Sequence, residues 1–135
     1  MKTKVFYTVI LCLLAVLLTG SCKKEVVVSQ ELLTGTWKLD THTQGKDMTY
    51  KIKDVVYEFQ ADGTLLIHSK NAYTDSYTYS LDSHKKTIEL TYSEGGTRTW
   101  IIDKLSEEAL VIHGTFREPG CSPQDVLNTL SFSRI

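Results

Sequence analysis

Four histidines, His42, His68, His84 and His113, are the residues best suited to metal or acid–base chemistry, and their spacing supports neither. No two stand at His-x-His or His-x3-His, the separations that bring two imidazoles to one metal ion. His68 and His113 are expected in strands that could be neighbours, each as a surface or hydrogen-bonded histidine. Serine, histidine and aspartate occur without the strand–turn–helix elbow that exposes a nucleophile. Asp62-Gly63 has the chemistry of a tight turn, not of a calcium loop, and no glycine-rich segment could cradle a phosphate. The residues thus argue for no enzyme, no metal and no cofactor.

The tyrosines carry more information. Tyr73, Tyr77 and Tyr79 fall on one face of a strand together with Asp75. Rings bearing hydroxyls suit an amphipathic ligand if that face lines a cavity. Facing outward, they would form an aromatic patch for a protein or a glycan. The third reading is a packed core with hydroxyls at its rim.

The chain starts with Lys2 and Lys4, followed by an uncharged, mostly apolar run of 14 residues from Val5 to Leu18. Small residues come next, Thr19-Gly20-Ser21, and then Cys22. This is the layout of a secretory signal over residues 1–21. A transmembrane helix fits less well, since a span takes about 20 apolar residues. Leu18-Thr19-Gly20-Ser21-Cys22 resembles a lipobox in the relaxed form found in Bacteroidetes, with Leu18 four residues before the cysteine. The resemblance implies that Cys22 is acylated and becomes the first mature residue, in the cell envelope and by expectation at the outer membrane. The alternative is a cleavable signal with an incidental cysteine. Each buried CH2 contributes about 0.8 kcal/mol, so several acyl chains would hold the protein on the membrane. Lys23-Lys24-Glu25 is either a signal for export to the cell surface or a solvated tether. Residues 22–31 are read as lipidated cysteine and tether, with a helical turn at 29–33 capped by Ser29.

Removing residues 1–21 from the 135-residue chain leaves 114 residues, enough for one domain with a modest core. The full chain has 15 basic and 16 acidic residues, and the loss of Lys2 and Lys4 leaves a net charge of −3. Basic residues form no cluster beyond Lys23-Lys24 and Lys85-Lys86, which argues against nucleic acid as a partner. Cys12 departs with the signal and Cys22 is used by lipid, so Cys121 has no intramolecular partner. It lies in the turn-rich Pro119-Gly120-Cys121-Ser122-Pro123 and reads as an unpaired loop thiol.

After Gly35 the hydrophobic pattern has period two throughout, which predicts strands. Trp37 and Leu39 share one face, as do Val55, Tyr57 and Phe59. Tyr77, Tyr79 and Leu81 form a third set, and Ile88, Leu90 and Tyr92 a fourth. Trp100 and Ile102 follow, then Leu110 to Phe116, then Leu130, Phe132 and Arg134. Turns are expected at Ala61-Asp62-Gly63, Glu94-Gly95-Gly96-Thr97 and Ser106-Glu107-Glu108, with hairpin arms at 54–60 and 64–69. About eight strands with no core helix indicate an all-β sandwich or barrel. Two connections are longer, Thr41 to Lys53 and Arg117 to Val126.

Leu33-Thr34-Gly35-Thr36-Trp37-Lys38-Leu39 resembles the opening of the lipocalin-like lipoproteins of Bacteroidetes, with Gly35-Thr36-Trp37 matching the lipocalin Gly-x-Trp. The hairpin Tyr57–Leu65, the pair Ile101–Leu105 and Ala109–Ile112, and the final Ser131–Arg134 resemble later landmarks of that group. The resemblance covers Leu33 to Ile135. It implies an eight-stranded antiparallel up-and-down barrel over residues 32–135. It also implies that Arg134 packs over Trp37 beside Gly35 and closes one end. Alternation independently puts Arg134 in phase with Leu130 and Phe132, and a buried cation needs a compensating contact.

The leading expectation is a membrane-anchored binder of a small apolar or amphipathic ligand. Its lining would be Tyr57, Phe59, Tyr77, Tyr79, Leu90, Tyr92, Trp100 and Ile102. The alternative is a protein-interaction module of an envelope assembly, with a packed barrel as scaffold.

Overall fold

Alternating apolar and polar residues become strands throughout the computed structural model, which describes residues 25–46, 48–70, 74–115 and 127–135. The expectations for residues 1–24 (including Cys12 and Cys22), for Tyr73, and for Phe116 to Val126 with Cys121 lie outside the described residues. Among the described residues a single turn of helix, α1 (Gln30–Leu33), precedes nine strands: β1 (Gly35–Gln44), β2 (Met48–Lys51), β3 (Val55–Phe59), β4 (Thr64–Ser69), β5 (Asp75–Asp82), β6 (Thr87–Thr91), β7 (Thr97–Leu105), β8 (Ala109–Thr115) and β9 (Leu127–Arg134).

Eight of these strands, β1 and β3 to β9, run up and down around a ring, every pair antiparallel. Pairing of β1 with β9 closes the ring into a barrel and leaves no edge between first and last strands. β2 is the extra strand. It pairs with the second half of β1, Thr41↔Lys51 to Gln44↔Met48, beyond the part of β1 that pairs with β3. Thr41 to Lys53, expected as a long connection, is therefore mostly a hairpin. All four residues of β2 are exposed, so no buried face imprinted an alternation that could be read.

Two bulges reset which residues face inward. The β1–β9 register shifts between Leu39 and Thr41, and the β7–β8 register shifts between Ile102 and Lys104. An extra residue in one strand flips its phase. Trp37 and Leu39 face inward before the first bulge. After it, His42 and Gln44 stand opposite the buried Leu130 and Asn128.

The hairpin turns at 60–63, 83–86 and 106–108 lie at one end of the barrel with α1 and Ile135. The 92–96 turn, the start of β5 and the paired ends of β1 and β2 lie at the other, here termed the loop end. The core fills the first end and the middle. Trp37, Phe59, Leu33, Leu65, Ile88, Leu90, Leu110 and Ile112 are all but inaccessible to solvent. Each such large side chain contributes roughly 1.5–3 kcal/mol by burial.

The first end is plugged by α1. The Ser29 hydroxyl accepts a hydrogen bond from the Leu32 amide at 3.2 Å and caps the turn. Leu33 is buried beneath it, and the Trp37 indole N–H donates to the Leu33 carbonyl at 2.8 Å. The Arg134 guanidinium lies 4.4 Å from the Trp37 ring centroid. It donates to the Leu32 carbonyl through Nη2 and to the Thr34 carbonyl through Nη1 at 3.3 Å. These carbonyls close the end of α1, where no further turn of helix supplies amides. Gly35 makes room for the cation. Its φ of +136° belongs to glycine, and a Cβ there would come within 3.0 Å of Arg134 Nη1.

Val26 and Val28, within the stretch expected as tether, pack against this same core, Val28 with only 8% of its surface exposed. His68 and His113 are not on neighbouring strands. They lie on β4 and β8, each on the outer surface beside a carboxylate, His68 to Glu58 at 3.4 Å and His113 to Asp103 at 2.6 Å.

Removing the cation should loosen the plug. Arg134→Met keeps the bulk but loses the ring contact and both carbonyl bonds. It should cost about 2–4 kcal/mol in urea unfolding with an unchanged m-value. A loss under about 0.5 kcal/mol would show that water serves the guanidinium equally well. Gly35→Ala should cost about 2 kcal/mol by combining a disfavoured φ with the close approach to Arg134. Its midpoint shift in the same titration checks this, and a neutral result would remove the conformational argument.

Candidate functional site

The inward faces of β3, β5, β6 and β7, with Tyr92 just past β6, carry the lining residues that the sequence singles out, and the structure divides them into three groups. Phe59 and Tyr79 sit at the plugged end, their rings edge-to-face at 5.2 Å. The Tyr79 hydroxyl donates to the Gln60 carbonyl at 2.6 Å and accepts from the Gln30 side chain at 2.6 Å, so it ties α1 to the barrel. Leu90 and Ile102 are buried in the packed middle. Tyr57 and Trp100 lie buried at the middle, and Tyr77 and Tyr92 stand nearer the loop end.

This third group forms two sets of ring contacts. Tyr57 lies 6.2 Å from Trp100 and 4.9 Å from Phe132, the latter edge-to-face. Tyr77 meets Tyr92 edge-to-face at 5.4 Å. Tyr57 and Trp100 are buried, whereas Tyr77 and Tyr92 are half-buried, so the hydroxyl-bearing rings grade from inside to rim. Gly114 stands opposite Trp100 on β8, and a Cβ there would come within 3.0 Å of the indole. A glycine at this inward position is what lets the large ring lie across the sheet.

Two polar features of the interior went unread in the sequence. Arg98 is in phase with Trp100 and Ile102 on β7 and lies 5.4 Å from the centroid of the Tyr92 ring. It also donates to the Thr115 carbonyl at 3.4 Å. The period-two pattern contained the signal for Arg98. His42 Nε2 lies 2.7 Å from the Asn128 side-chain oxygen, and Asn128 is 4% exposed. The bulge after Leu39 hid this pair, because it turns His42 inward against the phase of Trp37.

Burial raises the pKa of Tyr57 strongly, helped by the nearby Tyr77 and Tyr92 phenols. Burial likewise raises Tyr77, with Asp75 adding to the effect, and raises Tyr92 against the opposing Arg98 charge. All three phenols are therefore neutral at physiological pH, able to donate and accept hydrogen bonds but not to act as bases. On the outer surface, hydrogen bonds from Gln60 and His68 lower the Glu58 pKa, and the Lys85 amide lowers that of Asp82. Among the described residues no group of three His, Cys, Asp or Glu could hold a metal ion. The inward side chains at the loop end thus offer aromatic surface, neutral hydroxyls and one fixed cation, with the Asp75 carboxylate exposed at the rim. That set can hold and orient a molecule. It contains no nucleophile paired with a base.

A model of the lipocalin-like domain matches residues 33–112, more than half of the chain. A lipocalin-like protein from Bacteroides uniformis shares the fold with a TM-score of 0.54 and 19% identity, over 76% of this chain and 98% of that one. An uncharacterized protein from Bacteroides eggerthii is similar with a TM-score of 0.52 and 16% identity, again over 76% and 98%. No curated protein matches the chain. With the landmarks from Leu33 onward, the eight-stranded closure and the matching family model, the chain belongs to the lipocalin-like domain family.

Proposed function

We propose that this protein is a non-catalytic carrier of a small amphipathic molecule, held in the cell envelope at the outer membrane by acyl chains on Cys22. The observation that carries the reading is the polarity gradient inside the barrel. Phe132, Trp100 and the Tyr57 ring offer apolar surface in the middle. The Tyr77 and Tyr92 hydroxyls and the Arg98 guanidinium stand nearer the loop end. A ligand with an apolar body and a polar end matches that order, since ligand sites are mostly apolar with a few placed polar groups. An interaction module is the second reading. It is favoured by Met48 and Tyr50, half-exposed on β2, a strand that pairs with β1 alone.

Native mass spectrometry on protein purified without detergent from its own host tests the first reading. The expected result is a small molecule near one per chain. A bare chain that brings envelope proteins with it would transfer the assignment to the interaction module. For the recovered molecule, Tyr57→Phe keeps the ring and removes one hydroxyl. It should weaken binding about tenfold, the equivalent of one hydrogen bond at roughly 1–1.5 kcal/mol, in a titration followed by tryptophan fluorescence. Unchanged affinity would take Tyr57 out of the site. For the anchor, Cys22→Ala should move the protein from the membrane to the soluble fraction, or leave it uncleaved with its signal attached. A mature, membrane-bound Cys22→Ala chain would contradict acylation at this residue.

A further inference from the structure

We propose that the plugged end of the barrel is the face held against the membrane, so that the loop end is directed away from it. This rests on the reading of Cys22 as the acylated residue. Val28 is buried and Val26 packs against the core, both immediately before α1 of the plugged end. The Glu25 carboxylate lies 3.6 Å from the Lys86 ammonium, at the 83–86 turn of that same end. The ion pair is exposed and worth little by itself, so the two valines do the fixing.

Only three residue steps separate Glu25 from Cys22, and each spans at most about 3.3–3.6 Å. The leash is thus no longer than about 10 Å, whatever path it takes. The eight residues of β9 rise about 26 Å along the strand between the two ends of the barrel. A 10 Å leash attached at one end keeps that end at the bilayer, and the other end reaches it only if the whole barrel tips onto its side. Charge does not compete with this geometry. Lys85 and Lys86 at the plugged end are balanced by Asp82, Glu107 and Glu108, with Asp82 3.6 Å from Lys85. No uniform basic patch steers the barrel onto anionic lipid. The orientation comes from where the leash is attached.

The test uses the full acylated protein bound to phosphatidylcholine vesicles that contain a headgroup nitroxide lipid. A fluorophore is placed at Lys85→Cys (plugged end) or at Glu94→Cys (loop end), each with Cys121→Ser. The expected result is severalfold stronger quenching at position 85 than at position 94. Equal quenching, or stronger quenching at 94, overturns the proposal. The mass of the N-terminal peptide separates the two layers of the argument. With Cys22 acylated and quenching equal, the orientation alone falls. With Cys22 unacylated, the orientation and the anchor fall together. A Gly/Ser insertion of about twelve residues between Lys24 and Glu25, with an r.m.s. span of about 20 Å, should abolish the difference. A difference that survives the insertion would assign the orientation to adsorption and overturn the leash argument.

Discussion

A single cation joins the two ends of the described chain. Arg134, at the end of the last strand, lies over Trp37 of the first strand and binds the Leu32 and Thr34 carbonyls at the end of α1. Its partners are about a hundred residues away in sequence. Every other strand pairing among the described residues is between strands close in the chain, and only β1 with β9 spans the fold. The meander can therefore assemble hairpin by hairpin, while closure carries the entropic cost of a long loop. Arg134 adds to that closure an interaction that a Leu or a Met could not make. It serves helix carbonyls that have no amide of their own, and it covers the indole face in the same position. Gly35 belongs to this arrangement, because any side chain there would occupy the space of the guanidinium.

From that fixed point the interior changes character along the barrel. At the plugged end the groups are either apolar or bonded to backbone, as with Tyr79 to Gln60 and Trp37 to Leu33. Higher up, Tyr57, Tyr77 and Tyr92 bring hydroxyls inward, and Arg98, His42 and Asn128 bring stronger polarity. A barrel of eight strands has room for side chains to fill it or for one small ligand. A chain optimised for stability alone would continue the plugged end's apolar packing to the other rim. Burying phenols and an amide costs free energy unless each finds a partner. Here the Asn128 amide is bonded to His42, and the Tyr92 ring is covered by the Arg98 guanidinium.

Much of the architecture could be read from period two, because a half-buried strand must alternate. Trp37 with Leu39, Val55 with Tyr57 and Phe59, and Ile88 with Leu90 all gave their strands correctly. The Asp62-Gly63 and Gly95-Gly96 turns were equally legible, since those glycines adopt positive φ. What escaped had physical reasons. β2 is exposed on every residue and so has no hydrophobic face. His42 follows a bulge, which sequence alternation cannot announce. Arg98 was legible and overlooked, since a charged residue in an inward phase reads as an interruption of a strand's pattern. Whether the strands of His68 and His113 are neighbours does not follow from composition, and they are not. The inward residues were identifiable one strand at a time, but their division into plug, packed middle and aromatic rim needed the stagger between strands.

The polarity gradient and the proposed orientation bear on each other. Had the leash been attached near the loop end, Tyr77, Tyr92 and Arg98 would face the anchoring bilayer, and a lipid of that leaflet would be the natural candidate for the interior. The valines and Glu25 instead attach it at the end that Leu33, Trp37 and Arg134 seal. With Cys22 acylated, a ligand would then reach the Tyr77–Tyr92 rim from the aqueous side, from solution or from a protein standing opposite. The exposed β2 hairpin with Met48 and Tyr50 is at that same end. Ligand capture and partner contact therefore need not be rival accounts of this fold, because under the proposed orientation both would draw on one rim facing away from the membrane. The acyl chains would limit the search for either to a shell around the envelope, and the short leash would keep the rim outward while that search proceeds.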